Sequence, residues 1–232
     1  MSAPAAAWFP LVRHLSSRAT PWLARLPVTP NQITAASLAL GLACNALLTR
    51  GTPGWNVAAG ILLVACYVLD NCDGEIARLK GQGSEFGRRF DTFVDFVVHT
   101  SFFPALALGA SASHGEGVGL WLGVSVWHWL GGLAALGSTL NYAFSLRDDL
   151  RRARRPAPQP APRSAEAGEA RPESPLQWLA FVVRELTRAD FCFLVLLLGA
   201  ADALWPLLPA GAIGAQVYWV LRFVRGADEY HV

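Results

Sequence analysis

Between residues 69 and 99 the chain reads LDNCDGEIARLKGQGSEFGRRFDTFVDFVVH, which sets Asp70, Asp73, Asp91 and Asp95 inside two otherwise apolar segments. Ionised carboxylates in apolar surroundings are costly unless they pair, coordinate a metal or face water. Oxygen-only ligands of this kind suit Mg²⁺ or Mn²⁺. Carboxylates crowded into one pocket repel each other unless a cation lies among them. Two cations bridged by shared aspartates would form a clamp for displacement at phosphorus, stabilising the phosphoryl oxygens and the leaving group. Cys72 falls between the first two aspartates, but a thiolate is a soft ligand where hard oxygens are wanted.

Two helices must position these groups. Read as a helix, the first half places Asp70, Asp73 and Ala77 on one face through i, i+3 and i+4 steps, with Gly74 beside them. In the second half Gly87, Asp91, Asp95 and His99 recur every fourth residue and share a stripe. Lys80, Gly81, Gly83 and Ser84 between them are turn chemistry, so the helices are predicted to run antiparallel. Asp70 and Asp95 then both lie about 12 Å from the turn at ~1.5 Å rise per residue. Asp73 and Asp91 form a matching, shallower level, so that four carboxylates converge on one pocket.

The pattern Asp70-x2-Asp73-Gly74-x2-Ala77-Arg78-x8-Gly87-x3-Asp91-x3-Asp95 resembles the signature of the CDP-alcohol phosphotransferase family, integral membrane enzymes that make phospholipids. Every specified residue matches in type and spacing. The resemblance implies that Asp70, Asp73 and Asp91 hold two divalent cations, Mg²⁺ or Mn²⁺, on the pyrophosphate of a CDP-alcohol, with Asp95 closing the metal site. It further implies that Asp95 is the general base for the acceptor hydroxyl and that Gly74, Ala77 and Gly87 contact the nucleotide. Small residues there let a ligand approach helix backbone closely. Arg78 would hold a phosphate, order an aspartate or simply snorkel to the interface. Family members also resemble the stretch Pro30-Asn31-Gln32-Ile33-Thr34, so Asn31 and Thr34 are nucleotide contacts, helix caps or both. A homodimer is implied by the resemblance alone.

Composition agrees with a membrane protein: 53% hydrophobic residues, 16% charged and nine tryptophans in 232 residues. Six apolar segments are predicted at about 33–49, 55–78, 86–110, 118–145, 188–204 and 206–226. The expected fold is therefore all-α, a six-transmembrane-helix bundle preceded by an interfacial amphipathic helix. Within residues 1–28, apolar side chains from Trp8 to Leu23 alternate with Arg13, His14, Arg18 and Arg25 without the pattern of a signal peptide. Residues 29–146 carry helices one to four. Residues 147–175, arginine-rich and then rich in proline and alanine, read as a flexible cytoplasmic linker, and 176–232 as an interfacial segment with helices five and six. Cys44, Cys66, Cys72 and Cys192 lack zinc-type spacing and read as reduced packing residues. No basic face with interleaved aromatics points to nucleic acid.

Arginine and lysine concentrate after the second and fourth segments, at Arg78, Lys80, Arg88 and Arg89 and again from Arg147 to Arg171. The positive-inside rule puts those connections and the aspartate pocket on the cytoplasmic side, in a bacterial inner membrane. The reaction implied is transfer of a phosphatidyl group from CDP-diacylglycerol to a small alcohol, with release of CMP. If that alcohol carries a phosphate, as inositol phosphate or glycerol phosphate does, Arg188 and then Arg222 are the candidate ligands, since arginine presents a fork suited to phosphate. Either would equally serve as a helix-end anchor. His99 could hydrogen-bond Asp95 one turn away. Other functions compatible with the motif are a CDP-aminoalcohol:diacylglycerol phosphotransferase, disfavoured by the short chain, and a divalent-cation or proton-coupled transporter. A transporter would want acidic groups continuing towards the outer face, and segments four and six offer none at mid-depth.

Overall fold

The computed structural model describes residues 10–115, 119–121, 123–153, 177–178, 181 and 190–228, of which 148–149, 151–153, 218–219 and 221–228 are described by backbone alone. The described chain is mostly helical: α1 (Leu11–Ala24), α2 (Pro30–Leu48), α3 (Pro53–Leu79), α4 (Glu85–His114), α5 (Val126–Ala153), α6 (Phe191–Ala200) and α7 (Leu207–Asp228). A two-stranded antiparallel hairpin, β1 (Leu120–Trp121) and β2 (Val124–Ser125), precedes α5.

Local chemistry sets the helix starts. Thr29 caps α2 by accepting the Gln32 backbone N–H, while the Gln32 side chain accepts the Thr29 N–H at 2.9 Å, a reciprocal capping box that satisfies two otherwise orphaned donors. Proline follows the cap in α2 and α3, where its missing N–H costs nothing. Ser84 caps α4 by accepting the Gly87 N–H at 3.0 Å. The α3–α4 turn closes through Gly81, whose φ of +64° suits a residue without Cβ. Lys80 pins this turn to the α1–α2 connection by donating to the carbonyls of Leu26 at 3.0 Å and Val28 at 2.9 Å.

Three described helices are long and apolar enough to cross a membrane: α2, α3 and α4. At ~1.5 Å per residue the 27-residue α3 extends about 40 Å, more than a bilayer's hydrocarbon core. Of the six predicted spans, three are thus long and apolar enough among the described residues. The fourth segment starts as the β1–β2 hairpin, with its helix only from Val126. Its backbone turns at Gly119 and Gly123, both at positive φ, where a helix cannot nucleate. The fifth has ten described helical residues, about 15 Å of rise, which is half of the bilayer core. At the other end α5 continues to Ala153, so the first part of the expected linker is helical. Residues 154–175 of that linker, and most of 176–189 after it, lie outside the described residues.

The core forms where α2, α3, α4 and α6 meet, around Leu48, Leu63, Val98, Phe102 and Val195. Absent side chains make the closest approaches. A Cβ on Gly41 would lie 2.5 Å from Val98 Cγ2, and one on Gly60 would lie 2.7 Å from the Leu196 Cα. Such contacts replace the hydrophobic drive that helices lack within lipid. Asn45 adds a polar tie from α2 to α4 by donating to the Val98 carbonyl at 3.0 Å and to Ser101 Oγ at 2.8 Å. The four cysteines are free and buried in these packed regions, as their spacing implied.

The N-terminal helix lies against α3, and its buried stripe is Val12, Ser16 and Thr20. Two of the three are hydroxyl residues, not the apolar face expected. The cause is Glu75 on α3, whose two carboxylate oxygens accept from Ser16 Oγ at 2.8 Å and Thr20 Oγ1 at 2.6 Å.

Candidate active site

The carboxylates meet where α3 and α4, each packed against α2, converge short of the turn that joins them. Oxygen atoms of Asp70, Asp73 and Asp91 all lie within 4.8 Å of one another. Asp95, one helical turn beyond Asp91, is not part of that set, which leaves a three-carboxylate centre where four ligands were expected. The distinction follows from the surroundings. Asp73 is only 6% exposed and is fixed by the Thr34 hydroxyl, which donates to its Oδ2 and has the Pro30 carbonyl 3.1 Å away. Asp95 stands exposed at the rim of a cavity.

Two cavities flank the carboxylates. The first, about 520 Å³, lies between the start of α2 and the α3–α4 turn, and Asp73 and Asp91 face it beside Asn31, Gly74, Arg78 and Gly87. Thr34 and Ala77 line the same space, so the structure gathers every residue of the expected nucleotide set there except Asp70. The second, about 340 Å³, is lined by Asp70 and Asp95 with Tyr67, His99, Ser37 and Arg13. The four carboxylates therefore do not share the one pocket expected: the level of Asp70 and Asp95 lines one cavity and that of Asp73 and Asp91 the other.

The small residues have definite jobs. A Cβ on Gly87 would sit 3.0 Å from Asn31 Oδ1 and 3.1 Å from Ser84 Oγ, so glycine lets the α2 amide and the α4 cap approach together. At Gly74 a Cβ would meet Arg78 Nη1 at 3.5 Å, an ordinary contact; what it would take up is cavity space. Asn31 and Thr34 are not the helix cap, since Thr29 does that work. Arg78 is exposed and has no ion-pair partner among the described residues.

His99 does bond to Asp95, but to its backbone carbonyl, with Nδ1 at 2.7 Å. A carbonyl only accepts, so Nδ1 carries the hydrogen, and Nε2 bonds Tyr67 OH at 2.8 Å. The Asp95 carboxylate is thereby left for whatever occupies the cavity. Of the two candidate acceptor ligands, Arg188 lies outside the described residues, and Arg222 lies on α7 with its side chain outside them.

Three contributors were not given their roles by sequence reasoning. Tyr67 is a tyrosine at helical spacing from Asp70, indistinguishable from a packing residue in the sequence. Glu75 and Asp190 carried the same signal that exposed the aspartates, a carboxylate beside apolar residues. Asp190 is fully buried and accepts the Leu11 N–H at 2.7 Å and the Val12 N–H at 2.9 Å, capping α1 from the far end of the chain.

A family profile described as CDP-alcohol phosphatidyltransferase matches residues 27–158, more than half of the chain. Among curated proteins, the chain is 37% identical over 98 residues to a bifunctional IPC transferase and DIPP synthase from Aquifex aeolicus, covering 42% of this chain and 22% of that protein. It is 32% identical over 100 residues to an archaetidylinositol phosphate synthase from Pyrococcus horikoshii, covering 43% and 52%. Against a phosphatidylinositol phosphate synthase from Corynebacterium glutamicum it is 33% identical over 82 residues, covering 35% and 36%. The chain thus spans between about a fifth and a half of the length of these relatives. With the whole motif from Asp70 to Asp95 inside the matched residues and folded around one carboxylate centre, the chain belongs to the CDP-alcohol phosphatidyltransferase family.

Proposed function

We propose that this protein is a membrane enzyme that moves a phosphatidyl group from CDP-diacylglycerol to an inositol phosphate, releasing CMP. One observation carries the reading: the carboxylate cluster stands between two cavities, as a transfer between two substrates requires. The 520 Å³ chamber, with its glycines, Asn31 and Arg78, takes the cytidine diphosphate end of the donor. The 340 Å³ chamber takes the acceptor beside Asp95. The choice of inositol phosphate over glycerol phosphate rests on the names of two relatives, which both make inositol phosphate lipids.

The donor set fits a hard divalent cation. Three carboxylates of α3 and α4 converge with no cation of the chain paired to them among the described residues, and Cys72 is turned towards the Ser16 carbonyl. Asp70, Asp73 and Asp91 would hold Mg²⁺ or Mn²⁺, two ions if the carboxylates bridge, and Asp95 stands one turn further along α4. Bound there, the metal supplies charge neutralisation for the donor pyrophosphate.

The protein's own groups do the rest. Thr34 holds Asp73 in orientation. Asp95 takes the proton of the acceptor hydroxyl as its oxygen attacks the phosphorus bonded to the diacylglycerol oxygen. The new oxygen–phosphorus bond forms, the pyrophosphate bond to CMP breaks, and CMP leaves carrying that electron pair. Arginine segregation along the chain supports placing both chambers on the cytoplasmic side of a bacterial inner membrane, with the enzyme a homodimer as the family resemblance implies.

The test is CMP release by purified protein given CDP-diacylglycerol, Mg²⁺ and, in parallel, inositol phosphate, glycerol phosphate, inositol and serine. Release with inositol phosphate above the others supports the reading. Preference for another alcohol replaces the acceptor, and no release with any of them defeats the enzyme assignment.

A further inference from the structure

The 340 Å³ chamber is not built from the membrane bundle alone. Pro10, Val12 and Arg13, at the first turn of α1, form part of the same lining as Asp70 and Asp95. No residue of α1 reaches the 520 Å³ chamber among the residues that line it. Arg13 is exposed and has no ion-pair partner among the described residues, although it shares the chamber with two carboxylates.

This first turn is held with unusual firmness. Asp190, 0% exposed and more than 170 residues away in sequence, accepts both leading N–H groups of α1. A buried carboxylate satisfied by two backbone donors at a helix N-terminus is a fixed point, because releasing it would strand a charge and two amides. A turn further along, Glu75 ties Ser16 and Thr20 to α3. Two carboxylates from different parts of the chain thus dock one short helix against the chamber. A helix only needed to lie on the membrane would need neither.

We propose that α1 is the specificity wall of the acceptor chamber, with Arg13 binding the anionic group of a phosphorylated acceptor and Asp190 the positioning residue that sets it there. The proposal rests on the 340 Å³ chamber being the acceptor's. A monophosphate ester needs a cation that the carboxylates of the chamber cannot supply, and a guanidinium in the same lining offers a bidentate fork to it. A phosphate held on Arg13 leaves a hydroxyl of the same molecule free to approach Asp95.

Steady-state assays of purified full chain with Mg²⁺ and CDP-diacylglycerol decide it. Arg13→Gln raises KM for inositol phosphate roughly 10- to 100-fold, the loss expected for one charge-assisted contact, and leaves KM for the donor unchanged. Arg13→Lys recovers part of the loss. Asp190→Asn raises acceptor KM in the same selective way. Arg13 is exposed, so its variants fold and carry the decision should Asp190→Asn fail to accumulate. Unmodified protein that releases CMP normally while Arg13→Gln matches it at every acceptor concentration overturns the wall assignment and leaves the enzyme reading standing. An Arg13→Gln loss shared equally by donor KM and kcat overturns it as well. Unmodified protein with no CMP release overturns both.

Discussion

The hydroxyl of Thr34 on α2 donates to a carboxylate oxygen of Asp73 on α3, 39 residues away. The helix that opens the donor chamber therefore also orients a member of the carboxylate cluster. Losing such an outer partner typically costs about 10- to 100-fold in metal affinity. Thr34→Val preserves shape and removes the donor, so the Mn²⁺ concentration giving half-maximal activity should rise by about that factor. An unchanged metal titration would show that Asp73 needs no such support.

At Gly87 the prediction is steric. A methyl group there would press on Asn31 Oδ1 and Ser84 Oγ, so Gly87→Ala should raise the donor KM while the acceptor KM stays put. Because Asn31 is one of the two obstacles, Asn31→Ala should not add its full effect in the double variant. Strict additivity of the two in donor KM would separate them.

Asp95→Asn removes the base but keeps its main chain, and the His99 bond goes to the main chain. Turnover should fall by about 10²- to 10⁴-fold with thermal stability and donor binding retained. Tyr67→Phe, which removes the hydroxyl bonded to His99 Nε2, should cost less than roughly tenfold. Equal losses for the two variants would place the tyrosine in the chemistry.

Metal removal should act on stability as well as rate. Carboxylate oxygens within 4.8 Å repel one another without a cation, so Mg²⁺ or Mn²⁺ should raise the thermal midpoint of chelator-treated protein. Asp91→Asn should raise the midpoint of the metal-free form and shrink the metal-induced shift. A shift unaffected by that substitution would locate the cation elsewhere.

Glu75→Ala would leave Thr20, 3% exposed, without this acceptor and Ser16, 0% exposed, with the Arg13 carbonyl at 3.2 Å in its place. The lost bonds should cost about 1–3 kcal/mol of stability, read as faster proteolysis within α1 before the bundle unfolds. Protection of α1 equal to that of the unmodified protein would dismiss the Glu75 clamp.

Much of this molecule was legible as a string. The spacing of Asp70, Asp73, Asp91 and Asp95 defined two helix faces and the turn between them, because helical periodicity and glycine-rich turns act over a few residues, but not that α2 packs against both helices. The same periodicity assigned Asp73 and Asp91 to one level and Asp70 and Asp95 to another, and the two chambers follow that division. Apolar length was a weaker guide. It marked α2, α3 and α4 correctly, yet it could not foresee that glycines at positive φ would open the fourth segment as a hairpin.

What tertiary structure alone decided is which carboxylates serve the chemistry and which serve the scaffold. Asp70, Asp73, Glu75 and Asp190 all present the same signal, a charge beside apolar residues. Only the fold turns the first two towards the cluster, gives Glu75 to the hydroxyls of α1, and seats Asp190 under its first amides. Periodicity reports the face of a helix. The partner waiting at that face comes from elsewhere in the chain, and only packing brings it there.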